Sequence, residues 1–338
     1  MSIPASELET HQTSTVPGGP GDNVKQVEGR SPTQLALARF RKDKLSMAAF
    51  VIVAAYLVLA IAAPFLVHFG VLDPFSFNNS SKLLDIEAGA IPRGPLSGIS
   101  GDHWLGIEPG TGRDVLSRLI LGITFSLSIA LSATVLAVTI GAVLGIISGF
   151  VGGFVDASVG RLIDLTLSFP QTLMLLALST TLVTVLVQIG IPAGDLANGT
   201  YVVLVLALFG WPPIARIIRG QVLSIREREF VDAARLIGAP RRRMYFKEIL
   251  PNLWAPLLVY FTLTMPAYIS AEAALSFLQV GVKPPTPTLG NVLSDSISYS
   301  SADFFFFFTP AFLIAAIVVS FNLLGDGLRD ALDPRGSR

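Results

Sequence analysis

The run ILGITFSLSIALSATVLAVTIGAVLGII occupies residues 120–147 and contains no charged side chain. About 20 apolar residues are enough for a helix to cross the hydrocarbon core of a bilayer, and this run is longer. Five further apolar runs lie at 47–69, 165–189, 201–218, 253–274 and 304–324. Since backbone polar groups in lipid must be satisfied within each segment, we expect six transmembrane helices. The sequence therefore predicts an all-α integral membrane protein.

The composition agrees with a membrane protein. The 338 residues are 51% hydrophobic and only 14% charged, with a mean hydropathy of +0.64. Soluble chains carry about 25% charged residues. The chain has no cysteine, which excludes disulfides, thiolate metal sites and cysteine nucleophiles.

The distribution of Lys and Arg predicts the orientation of the chain. If both termini are cytoplasmic, 19 of the 24 basic residues lie on the cytoplasmic side and five lie outside. Residues 1–45 are polar and contain no apolar run, so we expect a flexible cytoplasmic tail and no cleaved signal peptide.

The segment at 219–252 is the most charged part of the chain. Within it, Phe230, Ala233, Ala234 and Ile237 recur at the spacing of one helix face. Gly238 favours a helix end, and the proline at 240 opposes continuation. A short amphipathic helix of this kind suits a groove on a cytoplasmic partner. The alternative is an ordinary charged loop that obeys the positive-inside rule.

Several motifs resemble a known family. Asp232, Ala233, Ala234 and Gly238, followed by the ILPN sequence at 249–252, resemble the EAA loop of ABC-importer permeases, with Asp in place of the usual Glu. The stretches at 105–118, 211–224, 275–287 and 322–334 are similar to dipeptide/oligopeptide-type permeases, in particular the second, C-type subunit. The resemblance implies the type I ABC-importer permease fold and an inner-membrane location in a prokaryote.

The resemblance also implies a partner set and a mechanism. A homologous second permease, two ATP-binding-cassette ATPase subunits and an external substrate-binding protein would complete the transporter. ATP and Mg²⁺ would bind only to the ATPase subunits. In the family, the EAA loop carries the coupling helix that docks on the ATPase. The residues expected in that role are Glu229, Asp232, Ala233, Ala234, Gly238, Arg241, Arg242, Arg243, Leu250 and Pro251.

The expected organisation has five parts. Residues 1–45 form the tail, 46–69 the first transmembrane helix and 70–118 an external segment. Residues 119–327 form the permease domain, with the EAA loop at 219–252, and 328–338 form a cytoplasmic tail.

A few polar residues and prolines in the spans are candidates for the translocation path. Asp164 can pair with Arg161 three residues earlier, or it can act as a gate. Pro170 should kink the third helix, and Gln171 and Trp211 are further candidates. Glu272 could face the cavity or bond a neighbouring helix. The glycines at 141, 145, 149 and 153 predict close helix packing rather than a binding site.

Other functions find less support. No glycine is followed by lysine, so the phosphate loop of an ATPase is missing. Acidic residues interleave with the basic loop, which argues against nucleic acid, and the three histidines are too far apart to suggest a metal site. A secondary transporter would need more ionisable residues at mid-membrane. Short peptides are the expected substrate, with nickel, glutathione or another small solute as alternatives.

Overall fold

The computed structural model describes residues 32–78, 80, 82–94, 96–278 and 280–332. Within these residues the helices and strands follow in this order: α1 (Pro32–Lys42), α2 (Lys44–His68), β1 (Leu84–Asp85), β2 (Ile91–Pro92), α3 (Val115–Val151), α4 (Gly153–Ser168), α5 (Gln171–Ala177), α6 (Ser179–Gln188), α7 (Asp195–Ile225), α8 (Glu229–Leu236), α9 (Arg241–Arg243), α10 (Trp254–Phe277), α11 (Leu289–Ile297) and α12 (Phe304–Leu332). A π-helical turn (Met244–Ile249) and a 3₁₀ turn (Leu250–Asn252) connect α9 to α10.

Five of these helices are long and apolar enough to cross a membrane, namely α2, α3, α7, α10 and α12. The pair α5 and α6, bent by 54°, gives a sixth crossing if it counts as one span. The predicted all-α membrane fold with up to six crossings is therefore confirmed. Helices α3, α7 and α12 extend clearly beyond the predicted runs, because polar residues next to these runs continue the helix.

The third span is not the single helix predicted at 165–189. The chain leaves the helical conformation at Phe169, whose ψ is 128°, and α5 begins after Pro170. Proline disfavours the helical conformation of the residue before it, so Pro170 breaks the helix instead of kinking it. A second break at Leu178 separates α5 from α6.

The core of the bundle is the contact between α3 and α7, the most extensive between any two described elements. A Cβ atom at Gly141 would lie 2.8 Å from Ile214, and one at Gly145 would lie 2.8 Å from the carbonyl oxygen of Ala215. The predicted close packing is thus confirmed for Gly141, Gly145 and Gly149. Gly153 lies outside this contact, because it begins α4 at a φ of 56° with open space around it.

Both predicted tails are shorter than expected where the structure describes them. Residues 32–42 of the predicted flexible tail form α1, whose buried Phe40 contributes to the core. Helix α12 runs to Leu332, past the predicted boundary at 327. The rest of both predicted tails, 1–31 and 333–338, lies outside the described residues.

The predicted external segment ends at Asp114, not at residue 118. The Asp114 carboxylate accepts a hydrogen bond of 2.7 Å from the Ser117 N–H, which caps α3 and starts it at Val115. Before the cap, the β1–β2 hairpin and an isolated bridge between Ile107 and Asp114 give the segment a defined fold. This segment lies at the opposite end of α3 from the charged loop.

Candidate functional site

The charged loop at 226–253 contains the predicted short helix. Helix α8 begins at Glu229, and Glu229 and Asp232 in its first turn favour the positive end of the helix dipole. Arg235 in the last turn pairs with Asp232 at 3.1 Å. The helix therefore forms from local sequence signals and stands at the end of α7.

Gly238 ends this helix as predicted. Its φ is 73°, a conformation that glycine adopts without steric cost. The Gly238 N–H donates to the Arg235 carbonyl at 2.9 Å and the Ala239 N–H donates to the Ala234 carbonyl at 3.0 Å. These two bonds form a Schellman motif, which satisfies carbonyls that the helix end would otherwise leave free.

Most of the predicted apolar face of α8 is exposed in the structure. Val231 and Ala234 are the buried residues of α8, whereas Phe230, Ala233 and Ile237 are exposed. Leu236 is 89% exposed and Ile237 is 71% exposed. Three of the four residues of the predicted apolar face thus point away from the bundle, and together with Leu236 they form an uncovered apolar surface in this chain.

Side-chain contacts hold α8 and the π-helical turn against α3. The guanidinium carbon of Arg235 lies 5.3 Å from the centre of the Phe150 ring, and Tyr245 meets the same ring edge-on at 5.3 Å. Arg226 donates to the carbonyl of Gly149 at 3.0 Å. A force on α8 would therefore reach the end of α3 directly.

Apolar burial supports the second half of the loop. Met244, Ile249 and Leu253 are almost completely buried. Leu250 is half-buried and Pro251 is exposed. Burial of three large side chains within ten residues fixes the path of the backbone between α9 and α10.

The three consecutive arginines are all exposed. Arg243 lies 3.7 Å from the Glu248 carboxylate. Arg241 and Arg242 have no ion pair among the described residues. This part of the loop therefore presents unneutralised positive charge beside the apolar surface of α8.

Asp156 of α4 stabilises the base of the loop. Its carboxylate accepts a hydrogen bond of 2.6 Å from Arg219, and the Ser148 hydroxyl also donates to it. The bond from Arg219 lowers the pKa of Asp156 to about 2, with a smaller contribution from Ser148. The pair joins the adjoining ends of α3, α4 and α7.

A cleft of about 360 Å³ lies between α4, α5, α7 and α10. Its lining contains no charged side chain, and its polar side chains are those of Thr166, Gln171, Tyr260, Thr264 and Tyr268. Of the predicted path residues, Gln171 lines this cleft. Pro170 is exposed at the break just before it.

The remaining path candidates lie elsewhere. Asp164 pairs with Arg216 at 2.9 Å, and both side chains are more than half exposed. The predicted partner Arg161 is wrong, because α7 brings Arg216 to Asp164 from outside α4. Trp211 is buried against its neighbours and does not line the open cleft.

Glu272 makes hydrogen bonds inside the bundle and does not face a cavity. It is 2% exposed. The hydroxyl of Ser126 donates to one carboxylate oxygen at 2.7 Å and that of Ser276 to the other at 2.8 Å. Ser126 also accepts from the N–H of Leu289 at 3.0 Å. The carboxylate thus ties α10 to α3 and α11, the second of the two alternatives left open.

Sequence reasoning missed a buried ionic cluster at the opposite end of the bundle. The Nε of Arg113 donates to Glu108 at 2.6 Å, and Arg118 lies 3.6 Å from the same carboxylate. Arg118 also reaches Asp295 of α11 at 3.4 Å. Four charged residues within eleven positions before a long apolar run were the signal, but nothing in the sequence indicates that three of them form a buried cluster. In the described part of the chain, no three potential ligands are close enough to hold a metal.

Comparison with protein families finds two matches. Residues 141–338 match the family described as binding-protein-dependent transport system inner membrane component. Residues 31–82 match the N-terminal transmembrane domain of oligopeptide transport permease C. Together they include α8 and most of the membrane-spanning helices.

Comparison with single proteins gives relatives along almost the whole chain. The dipeptide transport system permease protein of Alkalihalophilus pseudofirmus is 33% identical over 98% of this chain and 97% of its own length. The glutathione transport system permease protein of Shigella flexneri is 33% identical over 92% of this chain and 93% of its own. A solved structure of the MetNI methionine ABC transporter covers 64% of this chain and 97% of its own, at 19% identity and a TM-score of 0.49.

Proposed function

The chain belongs to the family of binding-protein-dependent transport system inner membrane components, and on that premise we propose that it couples ATP hydrolysis on partner subunits to import of short peptides. It is a multi-pass inner-membrane permease subunit. In the proposed complex it forms the pathway with a homologous second permease. Two ATPase subunits bind ATP and Mg²⁺, and a binding protein delivers the substrate.

The observation that carries this proposal is the uncovered apolar surface of α8. Leu236 and Ile237 are among the most exposed large apolar side chains of the chain, yet they stand on a helix whose other face is buried. Exposed apolar side chains in such a fixed arrangement suit a helix that enters a groove on a partner. The ATPase subunit is the proposed partner.

The mechanism we propose is alternating access. ATP binding closes the ATPase dimer, which moves α8 as a rigid unit with the loop around it. Arg235 and Arg226 transmit this motion to Phe150 and Gly149 at the end of α3. Since α3 packs tightly on α7, the two helices move together and change the side to which the cleft opens. Two distant sites are then coupled through two discrete states.

The proposed orientation places both termini and the charged loop in the cytoplasm. The basis is the excess of Lys and Arg on that side, with seven of them between the end of α7 and the start of α10. The segment that ends at Asp114 then faces the binding protein on the outer side.

The cleft supports a short peptide as the substrate. Its uncharged walls offer hydroxyl and amide groups to a peptide backbone and exclude no side chain by charge repulsion. Glutathione is itself a tripeptide, and the relative from Shigella flexneri is named for its transport. We therefore propose peptides of two to a few residues, with glutathione as the first alternative and nickel as the second.

Uptake by proteoliposomes tests this function. The complete complex is reconstituted with the binding protein outside and with ATP or no nucleotide inside. Labelled dipeptide is supplied, with longer peptides, glutathione or nickel as competitors. We expect ATP-dependent uptake that unlabelled short peptides suppress. Uptake without ATP would overturn the ATP-driven mechanism, and suppression by glutathione or nickel alone would replace the substrate.

A further inference from the structure

An apolar groove of about 700 Å³ lies between α3 and α10, at the end of the bundle that carries the charged loop. Val138, Val143 and Ile147 line it from α3, and Trp254, Leu257 and Phe261 line it from α10. No charged side chain contributes to the lining. The groove shares no lining residue with the cleft described above, which Tyr260 and Thr264 of α10 line.

The groove opens to the surroundings of the membrane-spanning helices. Val143 is 49% exposed and Trp254 is 67% exposed. Both line the groove within or beside helices that cross the membrane, so lipid is the medium that reaches it. Its size falls within the range of ordinary ligand pockets, about 300–1,000 Å³.

Positive charge lies at the mouth of the groove. Phe246 lines the groove and also a neighbouring hollow formed with Pro240, Arg242, Arg243 and Lys247. Arg242 and Lys247 are exposed and have no ion pair in the described part of the chain. Trp254 lines the groove at the first residue of α10, and tryptophan is enriched at membrane–water interfaces.

We propose that this groove binds one anionic phospholipid, with its acyl chains along α3 and α10 and its phosphate beside Lys247 and Arg242. The positive charge of Lys247 and Arg242 distinguishes an anionic lipid from the other candidate occupant, a helix of the second permease. A helix of the second permease could cover apolar walls equally well, but it would leave both cations unneutralised. An anionic lipid satisfies the apolar walls and the basic mouth together.

Native mass spectrometry of the complete complex in mild detergent tests the proposal. Phosphatidylglycerol and phosphatidylcholine with the same acyl chains are added in turn. We expect one retained phosphatidylglycerol per copy of this chain and several-fold weaker retention of phosphatidylcholine. Equal retention of the two lipids, or none, would overturn the proposal, and none would favour a helix of the second permease as the occupant. Glycerol phosphate, which has the headgroup charge without the chains, should not compete.

Two variants separate the headgroup contact from the groove. Lys247→Gln removes one cation and should weaken retention of phosphatidylglycerol about fivefold, with little effect on phosphatidylcholine. Val143→Trp fills the groove from an exposed position and should reduce retention of both lipids. The matched control is Lys42→Gln, which removes an exposed cation of α1 that lines neither the groove nor the hollow. Loss of phosphatidylglycerol in the control as large as in Lys247→Gln would contradict a local site.

Peptide uptake measured on the same preparations keeps this proposal separate from the proposed function. Uptake that persists while no lipid is retained would reject the lipid site and leave the transport function standing. Retention of phosphatidylglycerol without ATP-driven uptake would support the lipid site and reject the proposed transport function.

Discussion

Gly238 gives the sharpest prediction at the scale of single residues. Its Cβ position has open space, so a side chain there meets no clash, and only the positive φ is strained. An L-residue in that conformation costs about 1–2 kcal/mol, whereas asparagine adopts it more readily. We expect Gly238→Ala to reduce peptide-stimulated ATPase activity several-fold and Gly238→Asn to stay close to the wild type. Equal activity of the two variants and the wild type would show that this helix end does not matter for coupling.

Single residues also show which predictions the sequence supports. The helix end at Gly238 depends on neighbours within five residues, so the sequence is enough to predict it. The partner of Asp164 could not be predicted, because Arg216 is 52 residues away and only the packing of α4 on α7 brings it near. The same holds for Glu272, whose partner Ser126 comes from a distant helix.

The α3–α7 contact carries the prediction at the scale of elements. A Cβ on Gly145 would lie 2.8 Å from a backbone carbonyl oxygen, which cannot move without shifting α7. We expect Gly145→Ala to destabilise the bundle by about 1–3 kcal/mol. The measurement is the thermal unfolding midpoint of the complex in detergent.

Gly160→Ala is the matched control for this prediction. Gly160 lies within α4 and has nothing within 4 Å of its Cβ position. Alanine is the better helix former, so this variant should unfold at the same temperature as the wild type or slightly higher. A Gly145→Ala protein as stable as the Gly160→Ala protein would refute close packing of α3 on α7.

Elements were predicted well where one apolar run forms one helix, as in α2, α3, α7, α10 and α12. The prediction of a single helix for the third span was wrong, because hydropathy measures the length of an apolar run but not the path of its backbone. Pro170 was noticed, yet its effect depends on whether neighbouring elements satisfy the freed backbone groups. The apolar face of α8 was predicted from helical spacing alone, and three of its four residues are exposed as a docking face requires, whereas Ala234 packs on the bundle.

The ionic cluster around Glu108 gives a prediction for the whole molecule, since it joins the segment before α3 to α11. Glu108→Gln would leave Arg113 and Arg118 buried without their shared carboxylate. Breaking a buried pair in this way costs about 3–5 kcal/mol. We expect a lower unfolding midpoint and faster proteolysis between residues 70 and 114.

The control for Glu108→Gln is Asp85→Asn in the same segment. Asp85 pairs with Arg93 at 3.5 Å, and both side chains are about half exposed. Such surface pairs contribute about 0–1 kcal/mol, so this variant should behave as the wild type. Similar losses in both variants would mean that the Glu108 cluster has no special role in holding the segment.

For the whole molecule, composition and charge distribution predicted the membrane fold, and the motifs predicted the family. Neither could predict the folded segment before α3, because its stability depends on charges paired across the chain. The groove between α3 and α10 could not be predicted either, since its walls come from two helices that are far apart in the sequence.

The central claim is that the exposed surface of α8 docks on the ATPase subunit, and crosslinking tests it most directly. The chain has no cysteine, so Ile237→Cys introduces a single thiol at the end of α8. The control is Trp104→Cys, an equally exposed position at the opposite end of the bundle. A photoactivatable thiol reagent is attached to each, and the complete complex is irradiated with and without ATP. We predict that position 237 crosslinks to the ATPase subunit with an ATP-dependent yield and that position 104 does not. Absence of a crosslink from position 237, or an equal yield from position 104, would contradict the account.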